Sequence, residues 1–344
     1  MKQLSFFSEE NRLQELSKVG DPLEKLQQWI DFEEFRGPLE EALPSKSGSS
    51  KGGRPSMDCV MMFKAILLGK MYNVSDDQLE FVIADRLTFQ RFLGLTLDDK
   101  VPDAKTIWAY RERLGENGTL EKLFAQLNEK IAEAGWVTRE GSLVDATFVE
   151  VPKQRNTREE NATIKNGEVP AEWKETPNKL RQKDGDARWT KKNEETYYGY
   201  KNHVVVDQKS KFITTYTVTD ASVHDSQPLV EMLSEKDRVL YADSAYVGEE
   251  LHEKVQEKCK GIDIQVHEKG YRNKPLTAEA KETNREKSRV EHVFGQMKMS
   301  LAGTFCRTIG IVRAKAHVAF KNIAYNMLRY AYLMRTKTKS GVQT

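Results

Sequence analysis

The stretch RVLYADSAYVGEELHEKVQEKCKGIDIQVHEK, residues 238–269, places a charged segment between two segments that are rich in β-branched and aromatic residues. The outer segments, RVLYADSAY (238–246) and GIDIQVHEK (261–269), are typical of β-strands, and EELHEKVQEK between them is typical of a helix. Strands that are joined through a helix run parallel in one sheet in most folds. The sequence therefore predicts a βαβ unit.

Three more strands are predicted upstream, namely SLVDATFVEV (142–151), YYGYKNHVVVD (197–207) and KFITTYTVTDASV (211–223). The short connection QKS predicts that the second and third of these form a hairpin. Residues 153–190 are polar, charged and weakly periodic, which indicates a long, mobile insertion. We expect an α+β or α/β fold with a mixed-sheet domain at 137–335 and a basic tail at 336–344.

The amino-terminal part of the chain is predicted to be helical. Residues 1–44 predict one or two helices, and the Gly-, Ser- and Lys-rich residues 45–55 predict a flexible linker. Residues 56–136 predict a helical domain that includes the strongly apolar segment MDCVMMFKAILLGKMY.

Two N-cap signals subdivide this helical domain. Ser75 with Gln78 has the spacing of a capping box, and Asp103 precedes the helix that carries Arg111 and Arg113. Two helices joined by a short turn are typical of a helix-turn-helix that binds DNA and also of ordinary packing units. Both interpretations stay open, and the two arginines are the candidates for DNA contact.

Composition bounds the class of protein. The chain has 344 residues, a formal net charge of +2 and 38% hydrophobic residues, and it has no apolar run of the length that a membrane span needs. Its three cysteines are far apart and form no CxxC pair, so neither a zinc site nor a disulfide framework is indicated. With no secretory signal in the sequence, we expect a cytoplasmic protein of about two domains.

The small net charge conceals a strongly basic end of the chain. Between residues 284 and 344 there are twelve Lys or Arg residues and two acidic residues. Hydrophobic residues recur among them at helical spacing, which indicates a folded segment. This pattern favours a phosphate-binding surface over a merely solvated face.

Three carboxylates stand out in this setting. Asp145 lies inside an apolar strand, where a carboxylate is costly unless it is at an edge, hydrogen-bonded or bound to a metal. Asp243 lies at the carboxyl end of a strand that leads into a helix, which is where open sheets place ligand-binding residues. Each residue alone could equally be a structural aspartate of a turn or helix cap.

The third carboxylate, Glu291, lies in the basic segment NREKSRVEHVFGQMK. In one continuous helix, Glu291 would share a face with Asn284, Lys287 and Lys298, beside a packing stripe formed by Val290, Val293, Phe294, Met297 and Leu301. Gly295 leaves a gap on that face through which a backbone or a metal could approach. The alternative is a simple ion pair between Glu291 and Lys287.

Three carboxylates near a phosphate-binding surface suit metal-assisted chemistry. Oxygen ligands hold Mg²⁺, and two such ions about 3.5–4 Å apart can activate a hydroxyl group and stabilise the leaving oxygen of a phosphodiester. We expect two Mg²⁺ ions at Asp145, Asp243 and Glu291, with Mn²⁺ as a substitute.

The ordered blocks LVDATFVEV, YGYKNHVVVD, VTDASVHDSQ, VLYADSAYVG and RVEHVFGQMK resemble the catalytic blocks of DDE transposases of bacterial insertion sequences, in the IS-four/IS-five superfamily and its IS-five family. GRPSMDCVMMFKAILLGKMYNVSDDQLE and VPDAKTIWAYRERL resemble the helical region of that family. The resemblance implies an RNase H-like catalytic domain that follows a DNA-binding helical region, with Asp145, Asp243 and Glu291 as the catalytic, metal-binding triad.

The family signature around the glutamate consists of Tyr, Arg, Glu and Lys at fixed intervals. The same intervals here give Asn284, Lys287, Glu291 and Lys298, so that only the glutamate and the final lysine match. A lysine at the arginine position offers a point charge in place of a bidentate group. The long insertion that often precedes the glutamate in this family is absent.

The resemblance implies a transposase that binds the terminal inverted repeats of its element, cleaves to give 3′-hydroxyls and joins these to target DNA by transesterification. Lys298, with Lys287, Arg289 and Arg285, would hold phosphates near the scissile bond. His224 and Asp225 are favoured as loop-stabilising residues over additional site residues. The implied partners are double-stranded DNA and further copies of the chain, in a homodimer or higher assembly. The implied location is the nucleoid.

Three other functions compete with this one. A metal nuclease of the same fold would cut DNA without joining strands, and a DNA-binding regulator would use only the helical region. A covalent tyrosine recombinase would need a nucleophile such as Tyr325 or Tyr330, and it would leave the three carboxylates unexplained.

Overall fold

The computed structural model describes residues 8–43, 56–192, 194–246, 248–268, 276–301, 303 and 305–339. The chain forms two compact units: unit 1 contains the described residues up to Leu127 together with those from Ala319 onward, and unit 2 contains Asn128–Val318. These boundaries differ from the expected domains at 56–136 and 137–335, because unit 1 ends at Leu127 and also takes the last helix from Ala319 onward. The expected linker at 45–55 lies outside the described residues.

Within the described residues, eight α-helices precede the first strand, with a short 3-10 helix at Phe32–Phe35. They are α1 (Ser8–Val19), α2 (Pro22–Trp29), α3 (Arg36–Ala42), α4 (Cys59–Met71), α5 (Asp76–Asp85), α6 (Leu87–Leu93), α7 (Ala104–Glu116) and α8 (Thr119–Glu133). The described residues 8–43 therefore contain three α-helices and a 3-10 helix, where one or two helices were expected in 1–44. The carboxylate of Asp21 caps α2 by accepting from Leu23 N, and that of Asp31 caps the 3-10 helix.

The core of unit 1 is built around α4. Ten of its thirteen residues are buried, as the apolar run at 57–72 predicts. Both N-cap predictions are confirmed, since Ser75 caps α5 and the carboxylate of Asp103 accepts from Thr106 N at 2.9 Å at the start of α7.

Unit 2 contains a six-stranded mixed sheet. Its strands are β1 (Ser142–Glu150), β2 (Arg188–Lys192), β3 (Glu195–Asp207), β4 (Ile213–Asp220), β5 (Val239–Ala242) and β6 (Asp263–Val266). The helices that follow the first strand are α9 (Arg158–Lys165), α10 (Ala171–Glu175), α11 (Pro177–Gln182), α12 (Leu229–Met232), α13 (Glu249–Lys258), α14 (Ala278–Lys287), α15 (Arg289–Ser300) and α16 (Ile311–Lys339).

The strand pairing confirms the fold that the sequence predicts. β3 runs antiparallel to β1, β2 and β4, and β5 runs parallel to both β1 and β6. The β3–β4 hairpin and the βαβ unit of β5, α13 and β6 are both present. The protein thus has a helical amino-terminal region and a carboxyl-terminal mixed sheet, in the order expected of an α+β DDE transposase.

The segment at 153–190 has more structure than its polar composition indicates. It contains α9, α10, α11 and the beginning of β2, a strand that was not predicted. Thr157 and Glu160 form a capping box at the start of α9, and the buried indole of Trp173 donates to Glu160 Oε1 at 2.6 Å. A buried aromatic ring and a capped helix explain why this polar segment is folded.

Gly199 permits the close pairing of β1 with β3. Its φ of +144° is unusual for a residue with a side chain, and a Cβ built there would lie 2.3 Å from the carbonyl oxygen of Val149. The glycine in the predicted strand YYGYKNHVVVD therefore allows the two backbones to approach.

Among the described helices, none is both long enough and apolar enough to cross a membrane.

Candidate active site

One cleft in unit 2 contains the three carboxylates that the sequence singles out. Its volume is about 620 Å³, and Asp145, Asp243 and Glu291 all line it. Asp145 lies on β1, Asp243 directly follows β5, and Glu291 lies in the first turn of α15. Three elements that are far apart in the sequence therefore contribute carboxylates to one site.

The sheet register explains why the two aspartates are neighbours. Leu143 of β1 pairs with Tyr241 of the parallel strand β5. Two residues further along each strand are Asp145 and Asp243, and parallel strands carry residues two apart on the same face. Asp145 Oδ1 accepts from Ala146 N, and Asp243 Oδ1 accepts from Ala245 N, each at 2.8 Å. Asp243 thus also has the turn-stabilising role that was its structural alternative.

Glu291 presents its carboxylate from a helix whose other face is buried. The stripe of Val290, Val293, Phe294, Met297 and Leu301 is at most 8% exposed, as predicted. Ser288 separates α14 from α15 but keeps helical dihedrals, so Glu291 still lines the cleft with Lys287 and Asn284. In the described part of the chain, the Glu291 side chain has no hydrogen bond and no ion pair.

Lys287 pairs with a different carboxylate from the one that helix geometry suggested. Its Nζ lies 2.7 Å from Asp145 Oδ2, and the residue is only 6% exposed. The alternative in which Lys287 merely pairs with Glu291 is therefore wrong. A lysine 142 positions away in the sequence compensates the charge of Asp145.

The two remaining positions of the signature differ from each other, since Asn284 lines the cleft and Lys298 does not. Asn284 exchanges two hydrogen bonds with the backbone of Glu268, and Lys298 is exposed but is not among the described residues that line the cleft. A Cβ at Gly295 would meet no atom within 4 Å, so the gap expected there is open and no described backbone approaches it.

Two arginines near Glu291 are held by acidic neighbours. The guanidinium of Arg285 contacts Glu282 at 2.5 Å, and that of Arg289 contacts Glu286 at 2.9 Å. Neither arginine is among the described residues that line the cleft.

In unit 1, the guanidinium of Arg111 lies 2.6 Å from Asp76 and connects α7 to α5, whereas Arg113 is exposed. The Arg111 pair stabilises the packing of the two helices. Arg113 remains the candidate for DNA contact in this region.

A second ion pair lies in the same cleft. Lys201 Nζ donates to Asp225 Oδ1 at 2.8 Å and to the carbonyl of Val223 at 2.7 Å. His224 Nδ1 lies 2.8 Å from Ser226 Oγ, as a loop-stabilising role predicts, yet both His224 and Asp225 also line the cleft. Sequence reasoning missed Lys201, although its position in the predicted strand YYGYKNHVVVD was a signal, because a lysine inside a buried strand needs a partner.

The donor set suits a divalent cation. Four carboxylates line the cleft, and the buried hydroxyl of Tyr246 has no partner among the described groups. Burial, followed by the charges of Asp145, Asp225 and Asp243, raises the pKa of that hydroxyl, so that it stays protonated. Carboxylate oxygens are the ligands that Mg²⁺ and Mn²⁺ prefer, and Asp145, Asp243 and Glu291 could supply them. Within the described residues, no three His, Cys, Asp or Glu side chains are already gathered closely enough to hold an ion.

The tyrosines of the basic end are unsuited to covalent catalysis. Tyr325 and Tyr330 are 1% and 6% exposed, and burial raises the pKa of Tyr325 to about 12. A phenol that is buried and hard to ionise is a poor nucleophile for DNA.

Comparison with known families identifies the class of protein. The model of the family described as Transposase DDE domain matches residues 136–327, which is more than half of the chain, and the model described as Transposase domain (DUF772) matches residues 11–113. The chain therefore belongs to the DDE-domain transposases, which are divalent-metal-dependent enzymes that cleave and transfer DNA strands.

One solved structure matches most of the length of this chain. It is described as a piggyBac transposase synaptic complex with hairpin DNA, determined by cryo-electron microscopy. Its sequence is 12% identical, the match covers 96% of this chain and 78% of that chain, and the TM-score is 0.46. A likeness of this size assigns a role to no individual residue.

Proposed function

We propose that the protein is the transposase of an insertion sequence, that it binds the terminal inverted repeats of its element, and that Asp145, Asp243 and Glu291 are its catalytic residues. The observation that carries this proposal is that all three carboxylates line one cleft. The β1–β5 pairing ends at Leu143 and Tyr241, two residues before Asp145 and Asp243, and Glu291 adds its side chain from α15.

In this proposal, the three side chains together hold two Mg²⁺ ions, for which Mn²⁺ can substitute. When bound, such ions polarise a phosphate oxygen and lower the pKa of a coordinated water. The main-chain N–H groups of Ala146 and Ala245 each hold one oxygen of Asp145 and Asp243, which fixes the orientation of these carboxylates. The cleft therefore supplies oriented oxygen ligands on a rigid sheet.

The reaction has two steps that use the same site. Water attacks the phosphorus at the end of the element, a new P–O bond forms and the P–O3′ bond breaks, which leaves a 3′-hydroxyl. That hydroxyl then attacks a phosphorus of the target DNA and releases a target 3′-hydroxyl, so no covalent protein intermediate is needed.

Lys287 has a specific place in this account. It compensates the charge of Asp145, and its ammonium would be free to contact the phosphate if a divalent ion bound Asp145 in its place. Lys298, Arg285, Arg289 and Arg113 remain candidates for DNA contacts outside the cleft. Since two element ends must be joined, the active assembly is proposed to be a homodimer or larger.

The test uses purified protein and labelled DNA that carries the inverted repeats flanking its gene, with Mg²⁺ or with EDTA. We expect metal-dependent formation of 3′-hydroxyl ends and joined products, both lost in Glu291→Gln while binding of the end DNA persists. Cleavage without joining would favour a nuclease of the same fold. Binding without cleavage in any metal would reject the catalytic assignment.

A further inference from the structure

The lysines of the active-site cleft fall into two pairs with different surroundings. Lys201 and Lys287 are buried and are paired with Asp225 and Asp145, respectively. Lys191 and Lys192 are exposed on β2 and line the same cleft. Within the described residues, neither Lys191 nor Lys192 has a hydrogen bond or an ion pair with a carboxylate.

A pair of stacked aromatic rings lies near Lys192. Phe148 and Tyr197 stack with ring centroids 4.0 Å apart and planes 9° apart, and the ammonium of Lys192 lies 6.0 Å from the Phe148 centroid. Glu195, the cross-strand neighbour of Lys192, accepts a hydrogen bond from the Tyr197 hydroxyl at 2.5 Å. The carboxylate that the strand pairing places opposite Lys192 is therefore already hydrogen-bonded to a tyrosine.

The segment before β2 anchors the strand firmly to the sheet. Asp184 is 1% exposed, and its Oδ1 accepts from the Tyr200 hydroxyl at 2.7 Å. The guanidinium of Arg188 donates to the carbonyls of Gly185 at 2.6 Å and Ile164 at 2.8 Å. These bonds connect β2 and the residues before it to β3 and to α9, so its lysines are held at the cleft by structure that the insertion provides.

We propose that Lys191 and Lys192, named here the basic wall, bind the phosphates of the DNA strand that crosses the active-site cleft. This inference rests on the proposed function and assigns a role to the insertion at 153–190, which is to carry β2 to the cleft. A cleft lined by carboxylates repels a polyanion unless cations near it compensate, and exposed, unpaired lysines provide that compensation. Both side chains line the cleft, so the two ammonium groups offer contacts to two phosphates of the strand.

The basic wall contacts phosphates and therefore carries no sequence information. Neutralising it should weaken binding of the inverted-repeat DNA and of an unrelated duplex by a similar factor. It should also flatten the dependence of binding on salt, because each lost phosphate contact removes about 0.9 from the slope of log K against log salt concentration.

The experiment compares the full-length protein with Lys191→Gln/Lys192→Gln by fluorescence anisotropy in EDTA, over a series of salt concentrations. The control is Lys236→Gln/Lys254→Gln, which removes two exposed lysines of unit 2 that do not line the cleft. We expect the basic-wall variant to bind both duplexes at least about tenfold more weakly at low salt, with a slope reduced by about 1.8. The control should retain the wild-type slope, and Lys191→Arg/Lys192→Arg should restore it.

An unchanged slope in the basic-wall variant, or an equal loss in the control, would overturn the inference. Failure of the proposed function has a different signature: the wild type binds DNA with the steep slope but produces no 3′-hydroxyl in any metal. If the wild type binds neither duplex, both proposals are rejected.

Discussion

The cations of α14 and α15 and those of β2 lie near the same cleft in opposite circumstances. Arg285, Lys287 and Arg289 each contact a carboxylate, whereas Lys191 and Lys192 extend from an exposed strand without one among the described residues. Three of the cations around Glu291 are therefore neutralised locally. A basic sequence therefore identifies a DNA-binding surface only after the partners of its cations are known.

The largest effect is expected from substitution of the carboxylates that line the cleft. Asp243→Asn removes one oxygen anion from the cleft and should reduce DNA cleavage about 10³-fold, on the order of 4 kcal/mol in the activation free energy. DNA binding in EDTA should persist, because the proposal gives this residue a role in binding metal and not phosphate. The measurement is single-turnover cleavage of labelled end DNA.

The matched control for Asp243 is Asp263→Asn on β6, an exposed aspartate that does not line the cleft. It should cleave at the wild-type rate. Equal loss in the two variants would show that Asp243 has no special role.

The next effect concerns the anchor that holds β2. Asp184 accepts from the Tyr200 hydroxyl and from the N–H groups of Asp186, Ala187 and Gly310. Asp184→Ala leaves these buried donors without an acceptor and should lower the free energy of unfolding by about 3 kcal/mol, measured by urea denaturation.

Asp186→Ala is the control for this anchor. The side chain is exposed and accepts from Ile311 N at 2.9 Å, so its loss should cost about 1 kcal/mol. If the two variants are equally stable, Asp184 is not the anchor of β2.

A smaller, pH-dependent effect should appear in the same insertion. Hydrogen bonds from Thr157 N and the Trp173 indole, with Lys179 nearby, lower the pKa of Glu160 from 4.5 to about 2. A lowered pKa contributes stability that is fully present above about pH 4.5 and is lost as the pH falls toward 2. The difference in unfolding midpoint between wild type and Glu160→Gln should therefore shrink over this range. A difference that is constant from pH 6 to pH 2 would contradict the role of the Glu160 charge.

The smallest effect tests the ion pair of the cleft. Lys287→Met removes a cation that competes for Asp145, so Mn²⁺ should bind about fivefold more tightly, on the order of 1 kcal/mol. Isothermal titration of the DNA-free protein measures this affinity. Lys298→Met, on the same helical segment but outside the cleft lining, should leave it unchanged. Weaker Mn²⁺ binding in Lys287→Met would mean that the lysine supports the metal site instead of competing for it.

Much of the fold was predictable because it depends on local patterns. The βαβ unit, the β3–β4 hairpin, and the caps at Ser75 and Asp103 follow from periodicity, connection length and residue type, and the structure confirms them. The strand β2 was not predicted, since RWTKK is short and charged and depends on pairing with β3. The capping-box spacing of Thr157 and Glu160 was a readable signal that the insertion is folded.

The candidate site was predictable only in part, because local sequence patterns do not show contacts between residues that are far apart in the sequence. The interior of an apolar strand indicated Asp145, a strand end indicated Asp243, and a helix face indicated Glu291. The pairing of Lys287 with Asp145 joins residues 142 positions apart, and helix periodicity relates only residues within one helix. Which cations are neutralised is a property of tertiary packing.

The central claim is that Asp145, Asp243 and Glu291 hold catalytic divalent ions, and the most direct measurement is anomalous diffraction from crystals of the full-length protein grown with Mn²⁺. The account predicts anomalous density in the cleft within coordination distance of all three carboxylates, with Lys287 displaced from Asp145. Mn²⁺ bound elsewhere, with the ion pair between Lys287 and Asp145 intact, would contradict it.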